Sequence, residues 1–204
     1  MTGLVLPPVR FARPADAAAI ANIYSATLGA GYLSPAEASA SLRDRDPRTA
    51  WFVAETDDQV VAAANALWLD RGELVHAAPP GFEGVGTELL QLAPGVRRFG
   101  LLENVAVIPA YRSHGFAAAL TEARLEWLRG QEVEFVYTFA WHTPEGIPAL
   151  PTLERAGFRA VEELPDFYLE DGLRNGYACP WHGARCRCSA LLCVRELLTI
   201  GAAG

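Results

Sequence analysis

Two short stretches of this chain carry residues whose types and spacing could do chemistry. The first is ENVAVIPAYRSHGFAAAL, Glu103 to Leu120, which passes from an apolar segment through a proline and an arginine into an alanine-rich one. If Phe116 to Arg129 is a helix, its first amides have no intrahelical partner and carry about half a positive charge, so the junction is a ready anion site. Ser113, His114, Gly115, Phe116 and Ala117 would offer those amides, Gly115 would let a ligand approach the backbone, and Arg112 would add a formal charge. The junction lacks the Lys-Ser/Thr pair of a phosphate-transfer loop, so it suits holding a phosphate rather than cleaving one. Glu103 places a carboxylate in an apolar strand, where loss of water raises its pKa towards a range useful for proton transfer.

The second stretch is YACPWHGARCRCSALLC, with Cys179, His182, Cys186 and Cys188 as potential metal ligands and Pro180 and Gly183 to turn the chain between them. Three thiolates and an imidazole can close a tetrahedral zinc site, and alternation along an extended chain puts Cys186 and Cys188 on one side. Four protein ligands would leave no open position, so such a zinc would staple the loop and not catalyse. Cys-x-Cys is tighter than common zinc spacing, so free thiols and a redox pair stay open beside structural zinc. Cys193 reads as core packing.

These groups need elements to position them. The spacing predicts a strand ending at Ala12, a helix with Asp16 near its N-cap and Ile20, Ile23, Tyr24 and Leu28 inward, and a second helix capped by Ser34 with Pro35 and Glu37 behind it. AWFVAETDDQVVAAANALWL splits at Asp57-Asp58 as a hairpin. Residues 69–100, rich in Pro and Gly, read as a long excursion with a short helix at Thr87 to Leu92. A strand over Leu101 to Ile108, the helix Phe116 to Arg129 and the strand VEFVYTFAW make a parallel crossover that aims a helix start at a strand end. A short helix at Pro148 to Ala156 and closing strands GFRAVEEL and CSALLCVREL complete a mixed α/β, α+β fold, expected as one domain over residues 8–197.

Composition limits the function. A chain of 204 residues, 51% hydrophobic, can bury one substantial core. A net charge of −7 with no dense arginine cluster argues against nucleic acid as a partner. No apolar run approaches the roughly 20 residues that span a bilayer, and the first residues do not read as a signal peptide, so no membrane partner and a cytoplasmic location are expected.

VAVIPAYRSHGFAAAL resembles the acetyl-CoA-binding segment of the GNAT N-acetyltransferase superfamily, an apolar strand followed by V-x-P-x-Y and R/Q-x-x-G-x-G/A. Val107, Pro109, Tyr111, Arg112, Gly115 and Ala117 fill those positions. RPADAAAIANIY resembles the family's first strand and helix, the Asp57-Asp58 hairpin its second and third strands, and LERAGFRAVEELPDFYLEDG the end of its fourth helix and its sixth strand. The resemblance implies a central, mostly antiparallel sheet with a splayed parallel strand pair flanked by helices. It further implies acetyl-CoA as co-substrate, with the pantetheine on the backbone of Val105, Ala106 and Val107, the pyrophosphate on Ser113 to Ala118, and Glu103 as the base that deprotonates the amine of a small molecule or peptide. Alternation would put Glu103 on the face of Val105 and Val107. The family's Asn-x-x-Ala-x-x-x-Tyr is replaced by Gly146, Ala149 and Leu153, so the usual general acid is missing, and Tyr137, His142 or water would substitute. The Cys/His-rich segment 172–188 reads as an insertion between the last two strands, with LPDFYLEDG still strand-like. Two rivals stay open: a non-catalytic acyl-CoA-binding module, and a zinc or thiol interaction or redox-sensing domain on the same scaffold. A homodimer is an open expectation, since nothing in the sequence fixes the oligomeric state.

Overall fold

The computed structural model describes residues 7–44, 46–74 and 81–197. Seven strands form one sheet in the order β1-β2-β3-β4-β5-β7-β6: β1 Val9–Phe11, β2 Thr49–Thr56, β3 Gln59–Asp70, β4 Arg98–Val107, β5 Phe135–His142, β6 Arg159–Leu164 and β7 Ser189–Glu196. Every neighbouring pair is antiparallel except β4 and β5, which are parallel. Mixed α/β architecture with one parallel pair is therefore what the sequence pattern implied.

Helices cover both faces. On one, α1 (Ala17–Thr27) lays Ile20, Ile23 and Tyr24 on Val53, Ala63 and Ala106, and α3 (Glu83–Leu92) lays Val85 and Leu89 near Phe99, Phe135 and Tyr137. On the other, α4 (Phe116–Gly130) buries Phe116 and Leu120 against Phe52, Ala62 and Ala64, and its Leu125 and Leu128 join α5 (Leu150–Arg155) over Leu102, Val136 and Cys193. Opposite faces of β3 and β5 thus both enter apolar cores, which is why those strands read as near-continuous apolar runs.

Local signals hold where they are self-contained. Ser34 and Glu37 form a reciprocal capping box at the start of α2 (Pro35–Asp44), with Glu37 N–H to Ser34 Oγ at 3.2 Å and Ser34 N–H to Glu37 Oε2 at 2.8 Å. Asp57 and Asp58 turn the β2–β3 hairpin with φ of 50° and 59°, as a two-residue turn with positive φ requires. Asp16 stands at the N-cap of α1 but does not cap it, because its carboxylate accepts from Arg10 at 2.7 and 2.9 Å and from the Arg13 N–H at 2.7 Å.

Two segments differ from the sequence reading. The 69–100 excursion is largely regular: β3 runs to Asp70, β4 starts at Arg98, and α3 begins at Glu83, four residues before the helix expected at Thr87. Gly84 and Gly86 disguised its first turn, while Val85 and Leu89 bury one face at helical spacing. Residues 75–80 of that excursion lie outside the described residues. Downstream, LPDFYLEDG is not strand: β6 stops at Leu164, and Leu169–Asn175 form a short helix, α6, closed by Gly176 at φ 73°. The 172–188 segment is therefore loop only after that helix.

Candidate active site

The site is built around an irregularity in β4. Ala64 pairs with Val105 and Ala66 with Leu102, so Glu103 and Asn104 together oppose the single residue Asn65. This is a β-bulge, a feature that re-aims side chains beside active sites. Its consequence can be read from the packing. Val105 and Val107 lie against the α4 face with Phe116 and Leu120, whereas Ala106 lies against α1. Glu103 meets Asn65 on the α1 side, so it does not share a face with Val105 and Val107 as simple alternation required.

Asn65 splints the bulge. Its Oδ1 accepts the Asn104 N–H at 3.2 Å and the Tyr24 hydroxyl at 3.3 Å, while its Nδ2 donates to the Glu103 carboxylate. Behind the strand, Arg124 of α4 is almost fully buried and donates from Nη1 to the main-chain oxygens of Asn65 at 3.3 Å and Asn104 at 3.2 Å. Its other bonds go to Leu120 O and Thr121 Oγ1. Burial lowers its pKa to about 10, which leaves it charged at neutral pH. Neither Asn65 nor Arg124 was singled out in the sequence. The available signals were an amide amid the alanines of β3 and an arginine on the apolar stripe of Leu120 and Leu128.

The parallel pairing of β4 with β5 extends from Phe99–Phe135 to Leu101–Tyr137 and goes no further. Thr138 Oγ1 donates to Leu102 O at 2.7 Å where it ends. Beyond this point Glu103 to Val107 leave β5 and present main-chain groups into the splay, an edge that an extended ligand can pair with. The strand leads through a 3-10 turn at Pro109–Tyr111 to Gly115, the N-cap of α4, with φ 85°. Ser113 also has positive φ, at 65°. Among the described residues no side chain caps α4. Arg112, Ser113 and His114 are exposed around its start, and the His114 ring Nδ1 bonds to Arg112 O at 2.7 Å. A strand edge followed by an uncapped helix start fits a long ligand ending in phosphates.

Glu103 keeps exposed surface and lies near Tyr24, Tyr32 and Tyr137. Desolvation by the surrounding protein raises its pKa above the ordinary 4.5, nearby negative Asp171 adds to the rise, and the Asn65 bond opposes it. Tyr32, in the α1–α2 connection, donates to Asn104 Oδ1 at 2.8 Å, and its ring lies 5.0 Å from that of Tyr177. Tyr177 in turn donates to Asp171 Oδ2 at 2.8 Å. Ala178 N–H bonds to Ala30 O at 2.9 Å, and a side chain at Gly29 would meet Ala178 O at 2.5 Å, so the α1–α2 connection and the segment after α6 touch through backbone. Of the two substitute acids, Tyr137 is buried near Glu103, and burial together with that negative charge keeps its hydroxyl protonated. His142 is turned away to Glu163, at 2.8 Å.

The structure also brings Cys179, His182, Cys186 and Cys188 together, with potential ligand atoms all within 4.8 Å of one another. Cys186 and Cys188 are buried and the intervening Arg187 is exposed, the expected alternation, although both cysteines precede β7. Cys193 is in the core beside Leu102 and Val136, away from the cluster.

Residues 17–158 match the Acetyltransferase (GNAT) family, and the chain belongs to it. It is an acyltransferase of the N-acetyltransferase fold. Among solved structures it is similar to the Drosophila melanogaster polyamine N-acetyltransferase that forms N-acetylagmatine, at 17% identity and TM-score 0.64 over 93% of this chain and 99% of that one. It is likewise similar to Arabidopsis thaliana NAA60 in complex with acetyl-CoA, at 16% identity and TM-score 0.67 over 93% and 98% of the two chains. A ribosomal-protein-alanine N-acetyltransferase from Brucella melitensis aligns at 17% identity and TM-score 0.62 over 93% and 99%. No curated protein matches the chain. No helix among the described residues is long and apolar enough to cross a membrane.

Proposed function

We propose that the chain transfers an acetyl group from acetyl-CoA to a primary amine of a small molecule or peptide by direct attack in a ternary complex. The observation that carries this reading is the bulge, which sets a carboxylate where β4 leaves β5, on the strand that leads to the uncapped helix start at Gly115.

Acetyl-CoA supplies an activated acyl thioester. Main-chain groups of Val105, Ala106 and Val107 hold its pantetheine arm. The amides from Ser113 to Ala118, with Arg112 beside them, hold its pyrophosphate. A fixed N–H on the strand edge offers a donor to the acyl oxygen. Glu103, oriented by Asn65, accepts a proton from the incoming ammonium, so that a neutral amine is the nucleophile. Its raised pKa makes it a better base than a surface carboxylate. Tyr137, protonated near Glu103, or water would return a proton to the departing thiolate.

The surroundings of Glu103 favour a cationic acceptor. Glu103 and Asp171 contribute negative charge, and the rings of Tyr32 and Tyr177 offer faces for an ammonium and its alkyl stem. A panel of diamines, polyamines, guanidino-amines and peptide N-termini, assayed with acetyl-CoA by release of free thiol, tests the reading. Turnover with a cationic primary amine is expected. Acetyl-CoA binding without thiol release from any member of the panel would point instead to a non-catalytic binding module.

A further inference from the structure

The geometry points to a closed, structural zinc site formed by Cys179, His182, Cys186 and Cys188. It lies outside the acetyl-transfer machinery, and its existence does not depend on that reading.

The backbone builds half of the site by itself. Cys179 and Gly183 exchange reciprocal bonds, N–H to O at 2.9 Å and 2.8 Å, closing a tight turn over Pro180, Trp181 and His182. Gly183 closes that turn with φ of 62°. The turn sets the Cys179 thiol 3.9 Å from His182 Nδ1. The extended run into β7 then delivers Cys186 and Cys188 inward, with the exposed Arg187 between them. Cys188 Sγ lies 3.5 Å from His182 Nδ1 and 4.0 Å from Cys179 Sγ.

These separations match a coordination shell. With zinc–sulfur bonds of about 2.3 Å and zinc–nitrogen bonds of about 2.0 Å, the edges of a tetrahedron are about 3.8 Å between sulfurs and about 3.5 Å between sulfur and nitrogen. A disulfide would need sulfurs about 2.0 Å apart, and all four cysteines are free thiols. Three thiols and an imidazole are a donor set for zinc, and magnesium or calcium would require oxygen ligands.

The surroundings agree. The Trp141 indole N–H is buried without a hydrogen-bond partner and packs on the cysteine cluster. A metal-bound thiolate is an acceptor that a donor in this position can use. Trp181 lies edge-on to Trp141 with centroids 4.8 Å apart. Four protein ligands fill the shell, so the ion has no position for substrate. Its place in the fold is to fix the loop that begins at Ala178, where that loop bonds to Ala30.

Protein purified without chelator from zinc-supplied cells is expected to hold about one zinc per chain by mass spectrometric metal analysis. Removing the ion should lower the melting temperature, because zinc binding is coupled to local folding, while the further stabilisation by acetyl-CoA persists. Cys186→Ser should lose the zinc. His182→Ala, at an exposed position that is not needed for packing, should weaken zinc in competition with a colorimetric chelator. Cobalt loaded in place of zinc should give the intense visible bands of tetrahedral thiolate ligation. Failure of metal-free protein to take up zinc, a disulfide within the cluster, or unchanged zinc affinity in His182→Ala would each overturn the assignment.

Discussion

The guanidinium of Arg124, on the fourth helix, donates to the main-chain oxygen of Asn104, on the fourth strand, at 3.2 Å, and the same nitrogen reaches Asn65 O at 3.3 Å. A buried cation, fixed by main-chain and hydroxyl oxygens, therefore holds both sides of the bulge that aims Glu103. Arg124→Met keeps much of the volume but strands those two oxygens without a donor, which should cost about 1–3 kcal/mol in denaturant unfolding. Turnover should fall with little change in acetyl-CoA affinity, because the oxyanion-holding edge and the base move while the helix start remains. Arg124→Lys should recover only part of the loss, since one ammonium cannot reproduce the planar fork. A stable and fully active Arg124→Met protein would show that the bulge is held by the strands alone.

The pKa of Glu103 links function to stability with opposite signs. A carboxyl whose folded-state pKa is raised above 4.5 binds its proton more tightly when folded, so the group favours the folded state at low pH and that contribution is lost as pH rises through the folded pKa. Glu103→Gln should therefore melt higher than the parent at neutral pH, and the advantage should vanish in acid. The same substitution should lower kcat on the order of 10²-fold or more and abolish the acid limb of the pH–rate profile. Differential scanning fluorimetry across pH, paired with thiol-release kinetics, checks both halves. Full activity with an unaltered acid limb would make Glu103 structural.

The phosphate cradle makes a separate claim. Acetyl-CoA at about 100 times its Kd should stabilise the folded chain by about 2.7 kcal/mol, a melting shift on the order of 5–10 °C for a chain of this size. Gly115→Glu places a side chain at φ 85° and a negative charge among the amides that would face the pyrophosphate. That variant should fold and show no shift. A retained shift would remove the helix start from the binding site.

How much of this was legible depends on whether a feature is local. The strand, Pro109, Arg112 and Gly115 follow one another within a few residues, so the spacing alone marks a strand leading into a helix start. The capping box of Ser34 and Glu37 and the Asp57-Asp58 turn are equally self-contained. The bulge is not, since it exists only in the register of β4 against β3, and Asn65 precedes Glu103 by nearly forty residues. Alternation counted within one strand consequently put Glu103 on the wrong face. A sharper signal was present: Asn65 and Asn104 are amides in otherwise apolar strands, and buried amides need partners. The cysteine cluster was visible as composition, but its convergence depends on the Cys179–Gly183 turn. Tyr32, Asp171 and Tyr177 come together from segments far apart in the chain, and α6, which carries Asp171, was read as strand because Phe167, Tyr168 and Leu169 mimic one.

Asp171 supplies the test of the acceptor side. It accepts from Tyr177 at 2.8 Å and from Asn175 Nδ2 at 2.7 Å, and its charge adds to the upward shift of Glu103. Asp171→Asn keeps the shape, keeps an oxygen for the Tyr177 hydroxyl and removes the charge. If the acceptor is a cation held between the two carboxylates, its KM should rise up to about fivefold, the effect of losing about 1 kcal/mol from a partly exposed charge pair, and added salt should narrow the difference. Glu103 should at the same time become easier to ionise, because a like charge is gone, so the acid limb of kcat/KM should move to lower pH. A merely structural Asp171 would change stability and leave that limb in place. A neutral acceptor would leave KM and its salt dependence unmoved while the limb still shifted, which separates the charge of the substrate from the position of the base.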